Sequence, residues 1–247
     1  MKKWIWIGSS IFVMFLAWMV LHAQINHALI MPSLGDVLRD VINILTTLST
    51  LSILTSTLVR LFISIALSLM IAVILGILGG LFHSFSLFLK PYVAILRTVP
   101  VISITVILFI LLGFKMAPYA ITFLMVFPIV YQATEEGIRS IDKELLDVYR
   151  LEEHHLLMSV RMLYYPMIKP YIWLALLQSF GLGIKVLVMA EYLSQTKESI
   201  GNALYLARIN INYSEVFAWT MILILLSLAF EGILAFYKVK KRRFDEQ

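Results

Sequence analysis

The sequence predicts an all-α membrane protein with six transmembrane helices, and three observations carry this prediction. Hydrophobic residues make up 61% of the 247 residues and charged residues only 14%, whereas about 25% of the residues of a soluble domain are charged. Apolar runs with few or no charges recur along the chain, each close to the about 20 residues that a helix needs to cross a bilayer. The basic residues are also shared unevenly between the connecting segments, as the positive-inside rule describes.

The first predicted span covers about residues 4–23 and follows a basic start, Lys2-Lys3. This start resembles a signal peptide, but the uncharged stretch is long for one, and we expect a span. The next uncharged stretch, 41–59, carries many Ser and Thr residues and is a weak span. We therefore expect residues 34–47 to form an amphipathic helix outside the bilayer, with Ser33 as its N-cap and Asp36 in its first turn.

The second predicted span begins near Thr50 and covers about 50–82. The remaining four cover about 88–113, 116–134, 169–192 and 216–238. A single transmembrane domain, 1–247, accounts for all of them, and the one long polar insertion is the segment 135–168.

The basic residues give these spans an orientation. If the N-terminus is cytoplasmic, 13 of the 20 Lys and Arg residues lie in cytoplasmic segments and four in external ones. Three more, Arg60, Arg97 and Lys185, lie in or beside the spans. We therefore predict a multi-pass protein of the cell membrane with both termini and the segment 135–168 in the cytoplasm.

The segment 135–168 and the start of the next span carry a motif of regularly spaced residues: Gly137, Arg139, Ser140, Asp142, Glu144, Leu145, Leu146, Arg150, Pro166, Pro170 and Tyr171. Further runs of the same kind lie at 96–100, Gly113 and Ala190-Glu191. In these residues and their spacing the chain resembles the permease subunit of a binding-protein-dependent ABC importer with the type I fold, of the nitrate/sulfonate/taurine-like family.

The resemblance implies that this segment couples the spans to a cytosolic ABC ATPase. Two helices meeting at a corner would dock in a groove of the ATPase, and Pro166 and Pro170 would end the second helix before the chain re-enters the bilayer. The adjacent residues His154 and His155 are not expected to bind a metal ion, because neighbouring residues point to different sides of a helix. The predicted coupling residues are Asp147, Tyr149, Glu152, Glu153, His154, His155, Leu156, Leu157 and Met158.

The resemblance also implies the partners. The chain lacks the G-x-x-x-x-G-K-[ST] motif of an ATPase, so we expect no cofactor on this chain and ATP with Mg on a separate ATPase subunit. A second permease copy or a homologue, an extracytoplasmic substrate-binding protein and the lipid bilayer complete the expected partners. The basic tail at 238–243 is expected to lie against anionic lipid, and nucleic acid is not expected as a partner.

Polar residues in the predicted spans are candidates for a solute pathway, because charges inside a bilayer usually face a cavity or a partner. Two structural alternatives stay open. Arg97 could reach the headgroups or cap carbonyl groups near Pro100, and Lys185 could pair with Glu191 or Glu231. A rival class, a membrane enzyme or a non-transporting scaffold, also stays open, although no catalytic site is legible. The pathway candidates are Arg97, Pro100, Ser103, Gln178 and Lys185.

Overall fold

The computed structural model describes residues 2–25, 27, 30–142, 144–145 and 156–245, and these residues form no β-strand. The prediction of an all-α fold is thereby confirmed. A five-residue π-helical turn, Val160–Tyr164, joins α6 to α7. The helices are α1 (Lys2–Ile25), α2 (Leu34–Thr46), α3 (Leu48–Leu81), α4 (His83–Thr98), α5 (Val101–Arg139), α6 (Leu156–Ser159), α7 (Tyr165–Ser194), α8 (Ile200–Ile209) and α9 (Tyr213–Asp245).

The short helix α2 forms as its sequence predicts. The Ser33 hydroxyl accepts a hydrogen bond from the backbone N–H of Asp36 at 3.2 Å, which satisfies one of the free donors of the first turn. Val37, Val41 and Ile44 form the buried face of α2. The helix also contacts the start of α9, where the Ser214 hydroxyl donates to Asp40.

Close contact between α3 and α5 depends on small residues. Ser64, Ser68, Ala72 and Gly76 are buried at every fourth position of α3, and this spacing puts them on one face. A Cβ atom on Gly76 would lie 2.7 Å from the Cβ atom of Thr134. Small residues allow the backbones of two membrane helices to approach closely and gain van der Waals contact, which explains why this face of α3 lacks large side chains.

The long helix α5 folds back on itself at Gly113. This residue has φ 72° and ψ 168°, a conformation outside the helical region that glycine adopts readily because it has no Cβ atom. Arg97, just before α5, donates a hydrogen bond to Gln132 near its end at 2.8 Å. A straight helix from 101 to 132 would be about 46 Å long, so the two halves of α5 must run antiparallel.

The predicted third span, 88–113, is divided in the structure. Its first part belongs to α4 and its second part to the first half of α5, with Val99 and Pro100 in extended conformations between them. The physical reason is that proline disfavours the helical conformation in the residue before it. The expectation of a single helix at 88–113 was therefore wrong, because the apolar pattern continues across a backbone break.

The expectation that Pro166 and Pro170 end a helix was also wrong. Pro166 lies in the first turn of α7 and Pro170 lies inside that helix. The wider turn of the π-helix at Val160–Tyr164 directly precedes them. A π-helical turn interrupts the regular series of backbone hydrogen bonds, to which a proline cannot contribute an N–H donor. The chain therefore enters α7 without a helix break at either proline.

Five helices in the described part of the chain are long and apolar enough to cross a bilayer. The predicted span 116–134 lies wholly within α5, and the predicted span 88–113 lies partly within it. One helix can contain parts of two spans because α5 doubles back at Gly113. We name the end of the bundle that contains α2, α8 and residues 195–199 the cap end. The end that contains Gly80, Gly137 and Tyr171 is the loop end, where α5 ends and α7 begins. The five membrane-length helices are Gly8–Ile25, Leu48–Leu81, Val101–Arg139, Val160–Ser194 and Tyr213–Leu234.

Candidate functional site

The two ends of the predicted coupling segment meet at the loop end. A Cβ atom on Gly137 would lie 3.0 Å from two ring carbon atoms of Tyr171, so the ring packs directly on the glycine backbone. These two residues are the first and last members of the motif. The contact ties the end of α5 to the start of α7.

Residues in and beside the motif also have local structural roles. Glu135 accepts hydrogen bonds from the Ser86 hydroxyl at 2.6 Å and from Arg139 at 2.8 Å, which joins α4 to the end of α5. The Ser140 hydroxyl donates to the Gly137 carbonyl at 2.9 Å, where α5 ends. Asp142 then accepts from the backbone N–H of Glu144 at 3.1 Å, as a carboxylate does when it caps the start of a helical turn.

The predicted coupling residues are described only in part. Asp147, Tyr149, Glu152, Glu153, His154 and His155 lie outside the described residues. Leu156 and Leu157 begin α6, and their side chains are not described. Met158, in the same helix, is 40% exposed, so its thioether side chain is available at the surface of the isolated chain.

Three pathway candidates lie around the junction between α4 and α5. Arg97 donates to the Gln132 side chain, a partner that none of the alternatives from the sequence named. Pro100 and Ser103 are both exposed. The structure therefore brings a cation, an amide and a hydroxyl to the loop-end half of the α5 hairpin.

The other two candidates lie on a single exposed stripe of α7. Leu174, Gln178, Leu182 and Lys185 follow at steps of three and four residues, and all four are exposed. Buried residues of the same part of α7, among them Phe180, Ile184 and Leu187, lie on its other faces. Gln178 and Lys185 are about two turns apart along the same face, about 10 Å.

A buried ion pair that the sequence did not predict lies at the cap end. Glu191 is fully buried and accepts from Arg60 at 2.9 Å, from the Thr57 hydroxyl at 3.0 Å and from the backbone N–H of Gly201 at 3.4 Å. The Thr57 oxygen in turn accepts from the backbone N–H of Ile200 at 3.0 Å. The carboxylate therefore joins α3, α7 and the start of α8.

Arg60 also fixes the connection between α7 and α8. Its guanidinium group donates to the backbone carbonyl oxygens of Glu198 at 3.3 Å and Lys197 at 3.4 Å. A Cβ atom on Gly201 would lie 2.3 Å from the backbone nitrogen of Tyr192, so only glycine fits where α8 crosses the end of α7.

The alternative in which Lys185 pairs with Glu191 is thus wrong, because the Glu191 carboxylate is paired with Arg60. Neither of the two ion pairs found among the described residues involves Lys185. A useful signal was present in the sequence: Arg60 and Glu191 are opposite charges near the ends of two apolar runs, and each needs a partner.

In the described part of the chain, no group of three or more His, Cys, Asp or Glu side chains could hold a metal ion.

Five membrane-length helices, of which α5 doubles back at Gly113, and a motif whose two ends meet at the loop end are features of a polytopic membrane protein. Residues 72–243 match the family described as binding-protein-dependent transport system inner membrane component. The match covers well over half of the chain, and the protein belongs to this family.

The chain is also similar to a protein of Bacillus subtilis (strain 168) that carries the name aliphatic sulfonates transport permease protein SsuC. The two are 29% identical over 153 residues, which cover 62% of this chain and 55% of that relative. The resemblance that the motif indicated is thereby confirmed at the level of the family.

Proposed function

We propose that the chain is the permease subunit of an ATP-driven importer. In this proposal two permeases, two copies of this chain or this chain and a homologue, form a pathway for a small polar or anionic solute. An extracytoplasmic binding protein delivers the solute, and a cytosolic ABC ATPase supplies the energy. Membership of the family supports the general class, and the exposed stripe of α7 supports the pathway.

The stripe is the observation that carries the proposal. Lys185 lies about 14 Å along α7 from its last residue, near the middle of a bilayer about 30 Å thick. A lysine there costs about 2.5–3.5 kcal/mol on insertion scales if it faces lipid. The cost falls if the stripe faces a water-filled cavity shared with a second permease, and Gln178 on the same face then lines the same cavity.

The cationic head of Lys185 favours an anionic solute. A sulfonate is a compact tetrahedral oxyanion, and a lysine ammonium group binds such an anion by charge and by up to three N–H donors. The name of the Bacillus subtilis relative contains aliphatic sulfonates. Simple alkanesulfonates are therefore the first solutes to test, followed by nitrate and other small anions.

Energy would reach the stripe through the loop end. Binding of ATP with Mg closes the ATPase subunits, and the segment 135–168, seated on them, moves. The contact of Gly137 with Tyr171 transmits that movement to α7, the helix that bears Gln178 and Lys185. Alternating access then follows if the binding protein and ATP favour different packings of the same helices.

The experiment is reconstitution of the chain with the ATPase and binding protein encoded beside it. We expect ATP-dependent uptake of the anionic solute into vesicles and co-purification of the ATPase with the chain. A chain that purifies alone and shows no ATP-dependent uptake would favour the rival class, a membrane enzyme or scaffold.

Met158→Asp is the variant that tests coupling. A carboxylate in a desolvated groove of the ATPase costs several kcal/mol unless it is paired, so we expect binding of the ATPase and uptake to fall together. Met158→Leu, which keeps an apolar side chain of similar volume, is the matched control. Unchanged ATPase binding by the aspartate variant would contradict this placement of the coupling surface.

A further inference from the structure

A cavity at the cap end lies outside the proposed pathway. It has a volume of about 330 Å³ and is lined by Tyr192 of α7, Leu204 and Arg208 of α8, and Tyr213, Val216 and Thr220 of α9. Small-molecule sites start at about 300 Å³, so this cavity can hold part of a ligand. None of the six lining residues is acidic.

Hydrogen-bond donors collect at one side of the cavity. Arg208 donates from Nη1 to the Tyr192 hydroxyl oxygen at 2.8 Å, and Arg208 takes part in neither ion pair of the described residues. Since that oxygen acts as the acceptor, the hydroxyl hydrogen of Tyr192 remains available to donate. A guanidinium group has five N–H donors, and several remain for an anion.

The acidic residue nearest in sequence to the cavity does not neutralise Arg208. Glu215, in the first turn of α9, accepts from the Asn212 side chain at 3.1 Å and from the indole N–H of Trp219 at 3.4 Å. The carboxylate is thus engaged by neutral donors of its own segment. The positive charge of Arg208 is left for a ligand.

The opposite side of the cavity is apolar and extends along a membrane helix. Thr220 lies about 10 Å along α9 from Tyr213, the residue at which the membrane-length part of that helix begins. Its hydroxyl donates back to the Val216 carbonyl at 2.8 Å, which leaves little polarity for a ligand. Leu204 and Val216 complete an apolar wall.

The surface around the cavity indicates contact with lipid. Leu206, Ile209 and Ile211 are all exposed on α8 and just after it, on either side of Arg208 in sequence. A basic residue among exposed apolar side chains is typical of a helix that lies in the headgroup region, with the apolar groups toward the acyl chains.

We propose that this cavity binds one anionic phospholipid, with its phosphate on Arg208 and the Tyr192 hydroxyl and the first part of an acyl chain against Leu204, Val216 and Thr220. Basic pockets between membrane helices bind anionic headgroups, typically at the cytoplasmic side. This pocket lies at the end that the charge distribution predicts to be external, so its lipid would come from the outer leaflet. The ligand follows from charge complementarity and from the depth of the apolar wall. The inference is independent of the proposed transport function, because it requires only that the chain lies in a membrane.

The test counts lipids on the purified full chain. The chain is exposed in detergent to phosphatidylglycerol or to phosphatidylcholine, and native mass spectrometry measures bound lipid at increasing concentrations. We expect phosphatidylglycerol to be preferred by the unmodified chain. Arg208→Met should weaken its binding by about tenfold, as the loss of a hydrogen bond to a charged group does, and Tyr192→Phe should weaken it less.

Arg39→Met is the matched control. Arg39 is exposed on α2, at the same end of the bundle, and the change removes the same charge. We expect this variant to bind phosphatidylglycerol as the unmodified chain does. Equal losses in Arg39→Met and Arg208→Met would mean a general attraction of anionic lipid to a basic chain and would overturn the site.

Soluble anions separate a lipid from a free oxyanion. Inorganic phosphate or methanesulfonate is added to the lipid-bound chain. Retention of phosphatidylglycerol supports the proposal, since the acyl contacts hold the lipid. Displacement by either anion at concentrations like those of the lipid would assign the cavity to a soluble oxyanion and overturn the lipid, as would an unmodified chain that shows no preference between the two lipids.

Discussion

Lys185 is the residue at which the function of the α7 stripe can be tested. Its neighbours on the stripe, Gln178 and Leu182, carry no charge, and Glu191 is occupied by Arg60. Among the described residues Lys185 takes part in no ion pair, and a role in stabilising the bundle through Glu191 is excluded by the geometry.

We expect Lys185→Met to reduce uptake of an anionic solute by at least about tenfold, equivalent to about 1.4 kcal/mol of lost attraction at the barrier. Folding should be retained, because methionine is similar in length and suits an apolar environment. Uptake in reconstituted vesicles is the measurement. Lys197→Met, which removes an exposed lysine in the connection before α8, is the control, and full uptake by the Lys185 variant would discard the pathway role.

Arg60 and Glu191 show how a charge pair can define the position of distant segments. The two residues are 131 positions apart in the chain, and the same arginine also binds the carbonyl groups of residues 197 and 198. A buried pair contributes little net stability against an apolar pair of the same shape, but removal of one partner leaves a buried charge unpaired.

Arg60→Met should therefore lower the free energy of unfolding by about 3–5 kcal/mol. A second change, Glu191→Gln, removes the unpaired charge and should restore part of the loss. The thermal unfolding midpoint of the purified chain in detergent is the measurement for both variants. Losses that simply add in the double variant would show that the two side chains do not interact.

At the scale of helices, the contact between α3 and α5 depends on volume. A Cβ atom at Gly76 would lie 2.7 Å from the Cβ atom of Thr134 and 2.9 Å from the backbone oxygen of Tyr131. Backbone atoms cannot rotate away as the end of a side chain can. The two helices would have to separate to admit even a methyl group.

Gly76→Ala should therefore destabilise the chain by about 1–3 kcal/mol, the usual cost of overpacking. Gly232→Ala is the control, because nothing lies within 4 Å of a Cβ atom there and alanine favours a helix over glycine by up to about 1 kcal/mol. Thermal unfolding in detergent compares the two. A Gly76 variant as stable as the control would contradict the close packing.

At the scale of the whole molecule, the prediction that remains is its orientation in the membrane. The cap end and the loop end lie at opposite ends of α3 and α7, and the uneven sharing of Lys and Arg predicts that the loop end faces the cytoplasm.

Single cysteines at Gly35 and Glu144 test this orientation in a chain that has no other cysteine. Both positions are exposed, the first at the cap end and the second beside the loop end. A membrane-impermeant thiol reagent applied to intact cells should label the Gly35→Cys variant and leave the Glu144→Cys variant unlabelled until the cells are opened. Labelling of both from the same side would overturn the six-span topology.

The sequence predicted those features that depend on residues within a few helical turns of one another. The helix α2 follows from Ser33 and from the spacing of Val37, Val41 and Ile44, and the structure shows the same cap and the same buried face. The motif at Gly137 indicated the family, which residues 72–243 confirm. Gln178 and Lys185 were chosen as polar residues in a span, and the structure places both on one stripe.

Sequence rules predicted the effect of prolines on the helices less well. Pro166 and Pro170 were expected to end a helix, yet the π-helical turn before them lets α7 continue. Pro100 does divide the predicted third span, although apolar residues continue on both sides of it. The cost of a proline depends on the turn that receives it, and hydropathy alone does not describe that turn.

The sequence by itself determined that the chain is a membrane-embedded helical protein of a transport family, because hydropathy, charge and motif spacing are properties of short stretches. Only the tertiary structure decided which distant residues meet: Arg60 with Glu191, Gly137 with Tyr171 and Arg97 with Gln132. Each of these contacts depends on how the helices lie side by side and where α5 turns back. An apolar run of a given length fits many such arrangements, and the close packing of small residues and the pairing of buried charges select one of them.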